Sequence, residues 1–358
     1  MKNLLNKNDK IFVAGHKGMV GKAIIRSLKE KGYCDKKLDG KLLKINREEL
    51  DLTDYKKVDY WFRKNKPSIV IIAAAKVGGI IANSYYPFDF ISENIKIAQN
   101  LIEASWNNQV KRLLFLGSSC IYPKNSNIPI KEEELLSSCL EKTNESYAIA
   151  KITGIKLCEA INKQHNFDAI SLMPTNLYGP GDNYDSQNSH VFASLIKKFL
   201  IAKKKGLDSV ICWGTGKPLR EFLHVDDLGK ACVHALENWD PNDKLAPKDA
   251  NGEKLYYLNV GSGEEISIKN LAENIALETR FQGNIIWDKN KPDGTYRKLL
   301  DISRIKSIGW NPKINLSDGL KSVIQDVENV WIYLLSLKEK KVFDEDELLF
   351  QSIYRFEF

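Results

Sequence analysis

The sequence predicts an α/β protein: a doubly wound parallel sheet with a smaller α/β lobe beside it. Three observations carry that expectation. Apolar, β-branched runs alternate with segments whose apolar residues recur at helical spacing; the runs are apolar throughout; and the first of them breaks at a glycine cluster that opens a helix. A strand apolar at every position is buried on both faces, and a parallel sheet covered by helices on each side produces that burial.

Residues 11–14 form a short apolar run ending at Gly15, and residues 20–31 place Val20, Ile24 and Leu28 on one helical face. Residues 41–45 read as the second strand, 55–64 as a helix, 68–75 as the third strand, 91–106 as a helix and 112–116 as the fourth strand. A loop rich in Pro, Asn and Glu follows over 122–145. A helix from Tyr147 to about Lys163 and a strand over 169–173 then complete a Rossmann-type nucleotide-binding sheet.

Past Pro180 the texture changes to glycine and proline turns with short strands around 209–213, 256–260 and 284–287, which are assigned to the smaller lobe. The helical pattern over 225–237 returns to the first lobe. The expected domains are therefore 1–179 with 222–240, then 180–221 with 241–315, and a C-terminal helix and tail over 316–358. Residues 238–254 read as an exposed polar loop. After Lys341 acidic and aromatic residues alternate, in a tail that either docks on the body or a partner subunit or is loosely held.

With 358 residues, 43% hydrophobic and 28% charged, the chain is too apolar to be disordered and long enough for two linked units. Lys plus Arg number 53 against 46 Asp plus Glu, and the resulting +7 calls for no nucleic acid. The cluster Lys197, Lys198, Lys203, Lys204 and Lys205 lacks interleaved aromatics and reads as a solvated helix end. A phosphate-bearing small molecule suits the surplus equally well. The six cysteines show neither Cys-x-x-Cys pairs nor histidines at zinc-finger spacing, so reduced thiols and no metal are expected. Residues 1–10 are polar, and no apolar run reaches the length of a membrane span; a cytoplasmic protein with no membrane partner is expected.

The segment Gly15-His16-Lys17-Gly18-Met19-Val20-Gly21 is a glycine turn between strand and helix, where the backbone approaches a pyrophosphate and the helix N-terminus offers free N–H groups. At the end of the second strand an acidic residue would pair with a ribose hydroxyl, whereas a cation accommodates a 2′-phosphate. The chain has Arg47 there, favouring NADP(H) over NAD(H); its alternative role is a surface pair with Glu48, Glu49 or Asp51.

Tyr147 and Lys151 lie four residues apart on one helical face, where an ammonium near a phenol lowers the phenol pKa for proton transfer. Among 14 tyrosines such a pair arises roughly once by chance, so its position carries the weight. It opens a helix one loop after Leu116-Gly117-Ser118-Ser119, which puts Ser118 at the C-terminal edge of the sheet, able to polarise the same oxygen. Cys120 follows directly, and His190 comes soon after the turn that leaves the last strand. A lone cysteine is usually core and a lone histidine a bystander, but a thiolate and an imidazolium on opposite faces of a sugar ring form an acid/base pair, and a nearby cation keeps the thiol ionised.

With AGHKGMVG, AAAKVGGI, FLGSSCIYP, YAIAK, MPTNLYGP, NSHV, REFLHVDD and KPDGTYRKLLD in one order, residues 10–311 closely resemble the GDP-L-fucose synthase family of extended short-chain dehydrogenases. The resemblance implies a homodimer, formed through helices of the nucleotide-binding domain, that uses NADPH on GDP-4-keto-6-deoxymannose, epimerising C3 and C5 and then reducing C4. It implies a Ser118, Tyr147, Lys151 triad and an epimerisation pair Cys120 and His190. The implied cofactor residues are Gly15 to Gly21, Arg47, Leu52, Leu116, Gly117, Ser118, Ser119, Lys151, Pro174, Thr175, Asn176, Leu177 and His190. Its GDP-sugar contacts fall on Lys198, Trp213, Arg220 and Asp293: the indole packs on a base, the two cations hold a diphosphate, and Asp293 accepts from sugar hydroxyls. A structural role for Trp213, ahead of its Gly-x-Gly turn, is equally open.

A 4-keto group acidifies the hydrogens on both neighbouring carbons, so one oxyanion site at O4 serves exchange at C3 and C5 and reduction at C4. Two other readings stand beside this one. The first is a C4 reductase acting on an already epimerised GDP-4-keto-hexose or GDP-4-keto-heptose for surface polysaccharide; the second is a non-catalytic NADP(H)-binding subunit, which the intact Ser118, Tyr147 and Lys151 oppose.

Overall fold

The computed structural model describes residues 3–184, 189–291 and 293–338. The acid and aromatic tail, and Asn188 of the NSHV segment, lie outside them. The first half runs β1 (Lys10–Ala14), α1 (Met19–Glu30), β2 (Lys41–Leu43), α2 (Tyr55–Asn65), β3 (Ile69–Ile72), α3 (Ile80–Tyr85), α4 (Pro87–Asn107), β4 (Arg112–Leu116), α5 (Glu145–His165) and β5 (Ala169–Pro174). Next come β6 (Asn176–Tyr178), α6 (Val191–Lys205), β7 (Ser209–Trp213), β8 (Leu219–His224), α7 (Val225–Asn238), β9 (Tyr257–Val260) and β10 (Glu265–Ser267). The last elements are α8 (Ile268–Thr279), β11 (Asn284–Asp288), β12 (Arg297–Lys298), α9 (Ser303–Ser307) and α10 (Leu316–Lys338).

Six strands form one sheet in the order β2-β1-β3-β4-β5-β9, with every pairing parallel. The chain leaves β1 to one side for β2 and returns to the other for β3. This reversal opens a crevice beyond the C-terminal ends of β1 and β3, where ligands bind in sheets of this kind. β3 and β4 are buried at every position because helices cover both faces, α1 packing on α7, and α2 and α5 on α4. Each fully buried Ile or Leu in these strands contributes about 1.5–3 kcal/mol. At the N-terminal end of β4, away from the crevice, Arg112, itself buried, pairs with Asp168 at 2.6 Å and donates to the Trp239 carbonyl.

The structure corrects the expected lobe boundary. β9, assigned from sequence to the smaller lobe, is the sixth strand of the main sheet, in register with β5 from Ser171↔Tyr257 to Pro174↔Val260. Leu255, Leu300, Ile302, Ile305 and Trp310 share the same core. A four-residue apolar strand carries no periodicity that says which sheet it joins; long-range pairing decides it. The helix expected from Ile91 begins earlier, at Pro87, whose fixed φ suits a first helical position, and the short α3 precedes it.

In the smaller lobe β8 is central, with β10 antiparallel to it and β6 and β12 parallel, while β7 pairs with β11. A second core of Phe192, Ile196, Phe199, Phe222, Leu271 and Ile275 packs against Leu320, Val323 and Ile324 of α10.

Candidate active site

The glycine turn lies in the crevice between β1 and β3. Gly15 has φ +84°, and a Cβ there would meet the Ala74 nitrogen at 2.7 Å; at Gly21 a Cβ would meet the Gly15 oxygen at 2.2 Å. Only glycine lets the turn lie against the exit of β3 and α1 start so close to it. Gly18 caps α1 without a side chain, so the first-turn N–H groups, from Met19 onward, face the turn formed with His16 and Lys17.

Arg47 is 82% exposed and reaches Glu93 Oε2 on α4 at 3.5 Å, and its charge also acts on its sequence neighbour Asp51. The same carboxylate binds Lys76 at 2.6 Å, and Lys76 also reaches Asp89 at 3.0 Å. The Leu52 carbonyl accepts from Asn100 at 2.9 Å, fixing the segment after Arg47 to α4. At the end of β5, beyond Pro174, the Thr175 amide donates to the Val260 carbonyl at 3.0 Å and Asn176 donates to the Glu221 carbonyl at 2.9 Å, carrying the chain into β6 and Leu177. A flat glycine turn at a helix N-terminus, with an exposed guanidinium beyond the second strand, fits a dinucleotide bearing a 2′-phosphate.

The triad residues meet at the end of β4. Beyond Leu116, Gly117 packs on Met173, Ser118 is extended, and a single turn over Ser119–Ile121 follows, with the Ser118 hydroxyl accepting from the Cys120 amide at 3.4 Å. The buried Lys151 ammonium donates to the Leu116 carbonyl at 2.8 Å and lies 5.7 Å from the centre of the Tyr147 ring and 5.0 Å from that of Phe115. Burial lowers its pKa to about 8, with Cys120 opposing. Phe90 meets Tyr147 edge-on at 6.3 Å.

Burial raises the Tyr147 phenol pKa well above its usual value, and Cys120 adds to the rise. This corrects the expected lowering by Lys151: the ammonium bonds to the main chain and faces the phenol ring, so desolvation decides.

Cys120 is half-buried, and burial raises its thiol pKa; Lys298, the Ser118 hydroxyl and Lys151 oppose the rise, in that order. His190 immediately precedes α6. The residue is exposed, while desolvation by the surrounding protein lowers its pKa. Lys298 was not singled out from sequence, because one lysine among so many carries no signal until β12 is paired with β8.

The four expected GDP-sugar residues come together in the second lobe. Trp213, 51% exposed at the end of β7, has the Lys198 ammonium 5.7 Å from its ring centre, and Lys198 donates to the Ile211 carbonyl at 3.0 Å. Lys291, not anticipated although it begins the KPDG motif, lies 5.4 Å from the same ring. On β8, burial lowers the Arg220 pKa and Asp293 opposes it. Asp293 accepts from the Thr215 amide at 2.8 Å and from the Thr215 hydroxyl at 2.7 Å, so both its oxygens hold the turn after Trp213. That engagement differs from the expected role as an acceptor for sugar hydroxyls.

A dinucleotide crevice with Ser, Tyr and Lys at the end of the fourth strand defines an extended short-chain dehydrogenase. Residues 11–249 match the NAD dependent epimerase/dehydratase family. The chain is 51% identical over 318 residues to GDP-L-fucose synthase 1 of Arabidopsis thaliana, covering 89% of this chain and 93% of that protein. Among solved structures, a GDP-6-OMe-4-keto-L-xylo-heptose reductase from C. jejuni is 34% identical with TM-score 0.83, covering 91% of this chain and 99% of that one. A GDP-L-fucose synthetase from Naegleria fowleri bound to NADP is 26% identical with TM-score 0.78, over 92% and 96% of the two chains. The chain belongs to the GDP-L-fucose synthase family.

Proposed function

We propose that this chain is an NADPH-dependent epimerase and reductase of a GDP-4-keto sugar, inverting C3 and C5 before reducing C4, as in the synthesis of GDP-L-fucose from GDP-4-keto-6-deoxymannose. The observation that supports this reading is the juxtaposition of Cys120 with Tyr147 and Lys151 at the end of β4, as a proton-abstracting group beside an oxyanion site would require. The 51% identity to the Arabidopsis synthase supports it independently.

The first turn of α1 and residues Gly15 to Gly21 take the pyrophosphate, Arg47 the 2′-phosphate, and Lys151 the nicotinamide ribose. NADPH, when bound, supplies the hydride for C4. Ser118 and Tyr147 hydrogen-bond to O4. The Cys120 thiolate takes a proton from C3 or C5, becoming a thiol and leaving an enolate whose charge rests on O4; the His190 imidazolium returns a proton from the opposite face. In the reduction Tyr147 gives its proton to O4, and Lys151 balances the phenolate that remains. Lys198 and Arg220 hold the diphosphate, and Trp213 packs on the guanine.

In this reading the NADP(H) half comprises 1–179, 222–240 and 255–262, with 300–310 added; the GDP-sugar half comprises 180–221 and 263–299. The homodimer is supported by large apolar side chains exposed on α4 and α5: Phe88, Trp106 and Ile149. A cytoplasmic location accords with the six free cysteines; among the described residues no helix is long and apolar enough to cross a membrane.

The test is to incubate the purified chain with GDP-4-keto-6-deoxymannose and NADPH and identify the product. GDP-L-fucose is the expected product, and an unepimerised C4 alcohol would contradict the reading. The C. jejuni heptose reductase at TM-score 0.83 favours a second reading, C4 reduction alone on an already epimerised hexose or heptose. NADPH oxidation with such a ketone, and none with GDP-4-keto-6-deoxymannose, would select it.

A further inference from the structure

β12 consists of two residues. It lies parallel to β8 with Arg297 opposite Leu219 and Lys298 opposite Arg220, and register partners on neighbouring strands point to the same side. The strand is clamped from both flanks. The Leu300 amide donates to Glu221 Oε2 at 3.1 Å, while Ile130 donates to the Leu299 carbonyl and accepts from the Asp301 amide, both at 2.8 Å. Lys298 thereby faces the loop that continues from Cys120 and shares the lining of a small cavity with Tyr122, Lys124 and Glu141.

The two cations of β12 are employed differently. Arg297 is exposed and engages both oxygens of Glu265, at 2.8 and 2.9 Å. Lys298 is half-buried, and the carboxylate that acts on it, Glu141, is already paired with Lys124 at 3.0 Å. The charged and titratable groups around Cys120 are Lys298 from β12, Lys151 and Tyr147 from α5, and the neighbouring Ser118 hydroxyl. Lys151 is committed to the Leu116 carbonyl. Burial lowers the Lys298 pKa; Cys120 and Glu141 oppose the fall, and Arg220 adds to it.

We infer that Lys298 is a positioning residue for Cys120: β12 delivers its ammonium beside Arg220 to pair with the thiolate that removes the proton next to the ketone. The pairing offsets part of the desolvation of the thiolate in a half-buried site, so the thiol rises less than burial alone would impose. The role rests on the epimerase reading above.

The test uses the full chain and follows iodoacetamide alkylation of Cys120 against pH by peptide mass spectrometry, alongside deuterium exchange at C3 and C5 of GDP-4-keto-6-deoxymannose. Lys298→Met should move the alkylation midpoint up by about one pH unit, slowing alkylation and exchange roughly tenfold below it, and Lys298→Arg should restore both. Lys298→Gln provides the same reading if the Met variant does not fold. An alkylation midpoint unchanged in the folded neutral variant overturns the inference. Absence of exchange in the unsubstituted protein would instead remove the epimerase reading, and the alkylation profile would still decide whether Lys298 sets the state of the thiol.

Discussion

The Lys151 ammonium donates to the Leu116 carbonyl at 2.8 Å inside the protein, tying the helix that carries Tyr147 to the strand end that leads to Ser118. Burial holds this lysine near pKa 8 while it holds the phenol far higher. Below pH 8 Lys151 is charged and can balance a phenolate; above it the charge is lost while Tyr147 keeps its proton. The kcat for C4 reduction should therefore be flat below pH 8 and fall about tenfold per pH unit well above it. In Lys151→Arg the alkaline limb should vanish from the accessible range. A limb unchanged in that variant would assign it to another group.

Tyr147→Phe removes the proton donor but leaves the ring against Phe90. C4 reduction should fall by about 10²–10⁴, with NADPH binding preserved. Single-turnover NADPH oxidation measures it, and a near-normal rate would exclude Tyr147 as the donor.

Arg47→Ala should raise the KM for NADPH by about tenfold or more and leave that for NADH little changed, because a hydrogen bond to a charged group is worth about 1.5–3 kcal/mol. The contact with Glu93, on an exposed side chain at 3.5 Å, is too weak to account for such selectivity. Equal losses for both cofactors would remove the 2′-phosphate contact.

Asp293→Ala deletes both acceptors that hold Thr215 and frees the turn after Trp213. The KM for the GDP-sugar should rise about tenfold with kcat nearly unchanged, the signature of lost uniform binding. A fall in kcat at constant KM would place Asp293 in the chemistry instead.

Strands β1, β3, β4 and β5 and the helices between them, the short α3 excepted, were legible because burial on both faces leaves uninterrupted apolar runs, and a strand, glycine turn and helix in succession is a local pattern. The placement of the three expected triad residues was legible for the same reason: Ser118 follows a strand, and Tyr147 and Lys151 share one helix face. β9 was misplaced because four apolar residues after a polar loop do not encode their pairing partner. Lys291 and Lys298 were missed because their neighbours, the Trp213 ring and the Cys120 thiol, are brought to them only by the folded lobe. The direction of the Tyr147 shift was misjudged because helix spacing brings Lys151 close without specifying that its ammonium is taken by Leu116.

The central claim is that one oxyanion site beside Cys120 serves both proton exchange and reduction. It is tested most directly by incubating the chain with GDP-4-keto-6-deoxymannose in deuterium oxide without NADPH and then adding the cofactor. Deuterium should enter at C3 and C5 before any NADPH is present, be lost on Cys120→Ser, and be followed by NADPH oxidation in the unsubstituted protein. NADPH oxidation with no carbon-bound deuterium would contradict the account and leave a reductase alone.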